Sequence, residues 1–461
     1  MHKTPVIAVF DIGKTNKKFF LFDAGYHVVH ESTHQFEEVT DEDGFPCEDL
    51  ILLQSFIVHT LSSIVKKKQF DIKAVNFAGY GASMIHLDET GHTLTPLYNY
   101  LKPYPESLKF QLYSMYGGEQ KISVETASPV LGSLNAGMQL YRIKKEHPEV
   151  YAKIRNSLHL PQYLSYLITK KCVSDITSIG CHTQLWDFKR NNYHDWVAKE
   201  GLQHTLAPLV DSTSHFPVTM HNHSFVAGIG LHDSSAALIP YLIQMEEPFL
   251  LLSTGTWSIS LNPFNHTSLT AEELKNDCLC YLSFKGAPVK AARLFAGYEH
   301  EQQTARIASH FNQQADRYSS MHFDTTIIEK LKVNRIALHR PSEKQIEFAA
   351  YSPFQYRDLN SFHSFEEAYH QLIMDLVQQQ SISSQWVLKD TRVNRIFVDG
   401  GFSKNRVYMT LLASVFAGKE VFAASMSHAT AQGAALAIHT CWNDQPYHSK
   451  IIELNYYERA F

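Results

Sequence analysis

The sequence predicts an α/β fold built as two related domains that face each other. Three observations carry this. The chain has 461 residues, more than one ordinary hydrophobic core organises. A strand–turn–strand unit with a small, polar, glycine-containing turn occurs near the N-terminus and again about half a chain later. A third unit, in which a strand leads through a glycine turn into a helix, follows near residue 400.

In chain order, residues 6–10 (Val-Ile-Ala-Val-Phe) form an apolar run of buried-strand character, residues 11–18 a polar turn around Gly13, and residues 19–22 a second apolar run. Residues 249–252, the turn Ser253-Thr254-Gly255-Thr256 and residues 257–261 repeat the pattern. Repetition of one supersecondary unit at long spacing points to two domains of common design. In the third unit, residues 395–398 precede Asp399-Gly400-Gly401-Phe402-Ser403-Lys404-Asn405, and a helical stretch covers 407–416. Ser364 and Glu367 have capping-box spacing, and Phe365, Ala368, Tyr369, Leu372, Ile373 and Leu376 then follow the rhythm of a buried helix face. A helix is expected through 139–145, and the Thr/Ser-rich stretch 175–187 reads as a loop near a site. Residues 264–290 look irregular. The domain boundary is expected within 221–226, where a polar stretch precedes a new apolar run. This divides the chain into 1–224 and 225–461.

Composition narrows the function. Hydrophobic residues make up 44% and charged residues 19%, as in a globular protein. A formal net charge of -5 gives no support to a nucleic-acid partner, and no apolar run is long enough to span a bilayer. The N-terminus lacks the apolar stretch of a signal peptide, and the six cysteines include no CxxC pair, so a reducing cytoplasmic location is expected. Among 26 histidines, His221 and His223 stand close in sequence without a visible third ligand, and they read as solvated loop residues.

The turns suggest chemistry. Glycine lets backbone N–H groups approach phosphates, and Ser/Thr hydroxyls add donors. Two ordinary hairpins would look the same locally; the third unit tips the reading towards nucleotide phosphates. Gly13-Lys14-Thr15 is not a P-loop, because Ala8 occupies the place of the required glycine. Asp233 lies between a glycine-rich turn and a helix expected to start near Ser234, which suits either a general base or a helix N-cap.

Together these motifs resemble the FGGY carbohydrate kinases, relatives of actin and the heat-shock chaperone ATPases. Asp11-Ile12-Gly13-Lys14-Thr15-Asn16 looks like the first phosphate motif, with Lys14 departing from the commonest pattern. Residues 253–256 look like the second phosphate motif, 399–405 like the adenosine motif, and Ala431-Gln432-Gly433-Ala434-Ala435 like the second connecting helix. Residues 228–237 resemble the segment that carries the catalytic aspartate.

The resemblance implies two actin-like (ribonuclease H-like) domains, each with a mixed five-stranded sheet flanked by helices, around a cleft that takes ATP, Mg²⁺ and a small-molecule sugar such as a ketose or polyol. It implies Asp233 as general base and Asp11 as the Mg²⁺ ligand, directly or through water. The expected ATP contacts are Asp11, Gly13, Lys14, Thr15, Asn16, Lys18, Thr254, Gly255, Thr256, Gly400, Gly401, Phe402 and Asn405, with Lys17 competing with Lys18. The expected sugar contacts are Tyr80, Gly81, Ser83, His232 and Asp233. Tyr80 and Ser83 replace a more usual charged residue or Trp, and Tyr98-Asn99-Tyr100 stands where many members carry an aspartate. Rhamnulose, fuculose and xylulose kinases are the members most similar in character. A non-catalytic sensor on the same fold, another phosphotransferase of the superfamily, and a homodimer all stay open.

Overall fold

The computed structural model describes residues 3–67, 69–334, 353–426, 428–447 and 451–460. The first sheet is built from β1 (Thr4–Ile12), β2 (Lys17–Phe22), β3 (Val28–His34), β4 (Phe70–Gly79), β5 (His215–Met220), β6 (His223–Gly228) and β7 (Leu231–His232). Its order is β5-β6-β4-β1-β2-β3, with β7 on β4. The second sheet has β8 (Phe249–Thr254), β9 (Ser258–Asn262), β10 (Cys278–Leu282), β11 (Pro288–Leu294), β12 (Arg395–Gly400), β13 (Glu420–Ser425) and β14 (Glu453–Tyr457), in the order β10-β11-β9-β8-β12-β13-β14.

The expected repeat extends beyond the hairpins. In each sheet a central strand (β1 or β8) pairs antiparallel with its hairpin partner and parallel with a strand on its other side (β4 or β12). Six strands of each sheet follow one order, β3-β2-β1-β4-β6-β5 matching β11-β9-β8-β12-β13-β14. Each sheet therefore has seven strands where five were expected.

Residues 264–290, which looked irregular, contain a helix at Ala271–Lys275 with a complete Thr270/Glu273 capping box, then β10 and the start of β11. The 224/225 division cuts β6, which forms a hairpin with β5 and pairs with β4 inside the first sheet. The polar stretch there is the hairpin turn, so we place the division later, between the two sheets.

Strand periodicity sets the layers. Val6, Ala8 and Phe10 of β1 point to one face, where α1 (Leu50–Lys66) and α2 (Leu160–Thr169) cover them. Ile7 and Val9 point to the other, against α3 (Asp233–Gln244) and the later helix Ala429–Ala437. Leu238 and Tyr241 of α3 also pack on Phe249 and Leu251 of the second sheet. The outer face of that sheet is closed by α4 (Ala296–His310), α5 (Phe365–Leu388) and α6 (Arg406–Val415). Ser364 caps α5 as its spacing predicts, accepting from the Glu367 N–H at 3.2 Å. No helix among the described residues is long and apolar enough to cross a membrane.

We label Ala429–Ala437 α7. It crosses α3 so closely that a Cβ on Gly433 would stand 1.8 Å from the Ala236 carbonyl oxygen. Asn76 of β4, fully buried, ties this crossing to the first sheet: its Nδ2 donates to Ala434 O at 2.7 Å and its Oδ1 accepts from Gly230 N at 3.2 Å. Gly433→Leu must push backbone apart, so its destabilisation should fall near or above the upper end of the ~1–3 kcal/mol typical of overpacking. The shift in urea midpoint measures it, and a midpoint equal to wild type would contradict the close crossing.

Candidate active site

Strand register brings the two key carboxylates together. On β1, Asp11 lies beside Ala78 and Ile12 beside Gly79 of β4. On β7, Leu231 lies beside Ala78 and His232 beside Gly79. Asp233 follows His232 directly as the first residue of α3, so Asp11 and Asp233 emerge at the same sheet edge. Burial, then the charge of Asp233, push Asp11 up to about 7 against the opposing pull of Lys18, its partner across the β1–β2 ladder.

Asp233 is not the N-cap; His232 holds that position and makes no side-chain cap bond. The Oδ1 of Asp233 accepts from Ser234 N at 2.6 Å and Ser234 Oγ at 3.2 Å and lies 3.1 Å from His232 Nε2. Among the described residues no hydrogen bond reaches its Oδ2, which leaves an acceptor on a partly exposed carboxylate.

The first glycine turn is closed by Gly13 N–H donating to Asn16 O at 2.9 Å. Thr15 is exposed, while the Asn16 side chain accepts from Gln35 Nε2 at 2.9 Å. Lys14 and Lys17 are engaged elsewhere: Lys14 Nζ sits 2.5 Å from Glu38, and buried Lys17 donates to Glu48 at 2.9 Å and to Lys14 O at 2.8 Å. Lys18 is thus the lysine opposite Asp11.

The second turn packs directly on the third motif. The Thr254 hydroxyl donates to Asp399 O at 2.5 Å and accepts from Phe402 N at 3.0 Å, which joins the motifs and occupies the hydroxyl. Gly400 has φ +89°, and a Cβ there would meet Thr254 O at 1.8 Å, so no other residue fits. Exposed Gly255 and Thr256 lie against the start of α4, where Tyr298 N–H donates to Thr256 O at 3.1 Å. A cavity of about 970 Å³ opens beside them, lined by Gly255, His300, Tyr318, Gly401, Phe402 and Asn405 among others; neither Asp11 nor Thr254 lines it. Asn405 caps α6 through its Oδ1 and donates to Tyr369 OH at 2.8 Å.

Near Asp233, Gly81 is sterically required, since a Cβ would lie 2.5 Å from Cys181 Sγ and 3.1 Å from the His232 ring. His232 is buried, with Cys181 Sγ 2.9 Å from Nε2, and burial lowers its pKa despite Asp233. Tyr80 is buried with its ring 5.7 Å from that of Tyr100. Ser83 is buried and spends its hydroxyl on Tyr98 O at 3.0 Å. Around Tyr80 and His232 pack Cys181, His182, Tyr281 and Tyr100, of which only Tyr100 stood out individually in the sequence. Cys181 and His182 do fall in the 175–187 stretch read as a loop near a site; the apolar context of Tyr281 gave no such signal.

Residues 6–239 match the family described as FGGY family of carbohydrate kinases, N-terminal domain. The chain belongs to the FGGY family. Residues 246–446 match the FGGY carbohydrate kinase C-terminal domain. A rhamnulokinase from Oceanobacillus iheyensis is 23% identical over 250 residues, covering 50% of each chain. The chain thus spans about half the length of the curated relatives it matches. Among solved structures, a carbohydrate kinase from Novosphingobium aromaticivorans has TM-score 0.81 at 23% identity, covering 99% of this chain and 95% of that one. A xylulose kinase from Lactobacillus acidophilus has TM-score 0.78 at 15% identity, covering 99% and 94%. These likenesses establish the FGGY fold over nearly the whole chain.

The raised Asp11 makes a pH prediction. Its folded value of about 7 exceeds the ordinary 3.8, so its ionisation opposes folding once the pH rises above 3.8, with full effect above about 7. Asp11→Asn should therefore stabilise the ligand-free protein above pH 7 and add nothing below 3.8. Thermal unfolding across this range, without Mg²⁺, reads the difference; a shift independent of pH would contradict it.

Proposed function

We propose that this FGGY protein transfers the γ-phosphoryl group of ATP to a hydroxyl of a ketose or polyol, with Asp233 as the general base. The observation that carries the reading is the meeting of Asp11 and Asp233 at one sheet edge, with Asp233 keeping an oxygen free to accept a proton. A sugar hydroxyl is a weak nucleophile at neutral pH. Asp233 Oδ2 would take its proton as the new O–P bond forms and the bond to the departing ADP breaks.

The backbone around Gly13, Gly255 and Gly401 and the charge of Lys18 suit the polyphosphate, and the cavity beside Gly401 and Phe402 suits the adenosine. Asn16, Thr254 and Asn405 would act indirectly, by holding the turns. Among the described residues no three His, Cys, Asp or Glu side chains are grouped to hold a metal ion. A carboxylate completed by phosphate oxygens and water fits Mg²⁺, and Asp11, at the same sheet edge as Asp233, offers one. A Mg²⁺ ion there would neutralise charge on the phosphates.

The rhamnulokinase likeness supports a ketose, so L-rhamnulose, L-fuculose and D-xylulose lead the panel for a coupled ADP-release assay. Sugar-dependent ADP release with one of them is expected. Asp233→Asn should lower turnover by roughly 10²-fold or more while ATP affinity changes little. Near-normal turnover in that variant would remove Asp233 from the chemistry.

A further inference from the structure

We propose, resting on the kinase reading above, that Lys14 and Glu38 read the hydroxyls of the sugar and that the substrate they select is a neutral sugar rather than a sugar acid. Lys14 occupies the first phosphate turn, yet its ammonium is turned to Glu38 at 2.5 Å and Glu48 at 3.5 Å. Through Asn99 and its neighbour Tyr100, this group connects to Tyr80, an expected sugar contact. Glu38 Oε1 also lies 3.4 Å from Asn99 Nδ2, next to Tyr100. Burial raises the Tyr100 hydroxyl above its ordinary value, and the charges of Lys14, Asp233, Glu48 and Glu38 all act on it. Tyr80 packs on Tyr100 and feels Glu48 and Glu38 as well.

The network has a fixed base and a reachable rim. Lys17 and Glu48 are sealed, with side chains 2% and 4% exposed, and pair at 2.9 Å. Lys14 and Glu38 stand above them at 22% and 41%. Among the described residues no hydrogen bond reaches Glu38 Oε2, so it can accept from a sugar hydroxyl. The ammonium of Lys14 has three N–H groups, of which Glu38 takes one at close range.

Charge balance gives the substrate class. Lys14 and Lys17 are matched by Glu38 and Glu48. Arg293 donates to Asp277 at 2.6 Å, and burial lowers the pKa of both His232 and His182. Lys18 faces Asp11 at the phosphate end. A sugar carboxylate would therefore add negative charge beside Asp233 with no unmatched cation among these described residues to receive it, whereas hydroxyls find both a donor and an acceptor.

Calorimetric titration of the full chain with D-xylulose, L-rhamnulose, L-fuculose and D-gluconate tests this, run beside the coupled assay. Wild type should bind at least one ketose and bind gluconate much more weakly. Glu38→Gln and Lys14→Met should each weaken that ketose about tenfold or more, the worth of a hydrogen bond to a charged group, with the KM for ATP unmoved. Glu38→Gln frees the Lys14 charge and should narrow the gap between gluconate and the ketose. Glu38 is half-exposed and the change isosteric, so this variant decides the matter if Lys14→Met unfolds. Equal binding of gluconate and ketose by wild type, no binding of any ketose, or wild-type ketose affinity in Glu38→Gln overturns the proposal. Ketose binding without phosphorylation would instead sink the kinase reading and leave this one standing.

Discussion

The contact on which the rest depends is the crossing of α3 and α7. Both helices lie against the first sheet, and α3 also packs on the second. The approach is close enough that Gly433 meets the backbone of Ala236 with no room for a side chain. Because α3 begins at Asp233, the helix that joins the two halves also delivers the candidate base. Asn76 then fixes the crossing to β4, the strand between β1, which carries Asp11, and β7, which leads into Asp233. Packing and chemistry are thus coupled through one short stretch of small residues.

The elements legible in the sequence were those whose signal is local. The β1–β2 and β8–β9 hairpins announce themselves by apolar runs around a polar turn, and α5 by its cap and periodicity. Edge strands were harder. In residues 278–282 every position of β10 is buried, so no alternation marks it as a strand, and the surrounding turns hid it. The polar turn of the β5–β6 hairpin looked like a linker because a linker and a tight turn use the same residues.

At the candidate site, the positions of Asp11, Asp233 and the glycine turns at the ends of strands were legible because each belongs to a motif. What side chains do with their hydrogen bonds was not. Thr254 and Ser83 carry hydroxyls suited to a ligand, and both are spent within the protein. Lys14 sits in a phosphate turn by sequence and beside Glu38 in space, since Glu38 lies 24 residues away and nothing local links them. Lys17 and Lys18 differ only in strand parity, which sends one to Glu48 and the other towards Asp11.

Two sheets joined by helices that cross on small residues could close like a hinge, and closure would exclude water, the competing nucleophile, from the γ-phosphate. The two halves are therefore expected to move together when both substrates are present. Small-angle scattering with a non-hydrolysable ATP analogue, Mg²⁺ and the accepted sugar tests this most directly. A smaller radius of gyration with both ligands than with either alone is the predicted result. An unchanged radius with both demonstrably bound would contradict closure about the α3–α7 crossing.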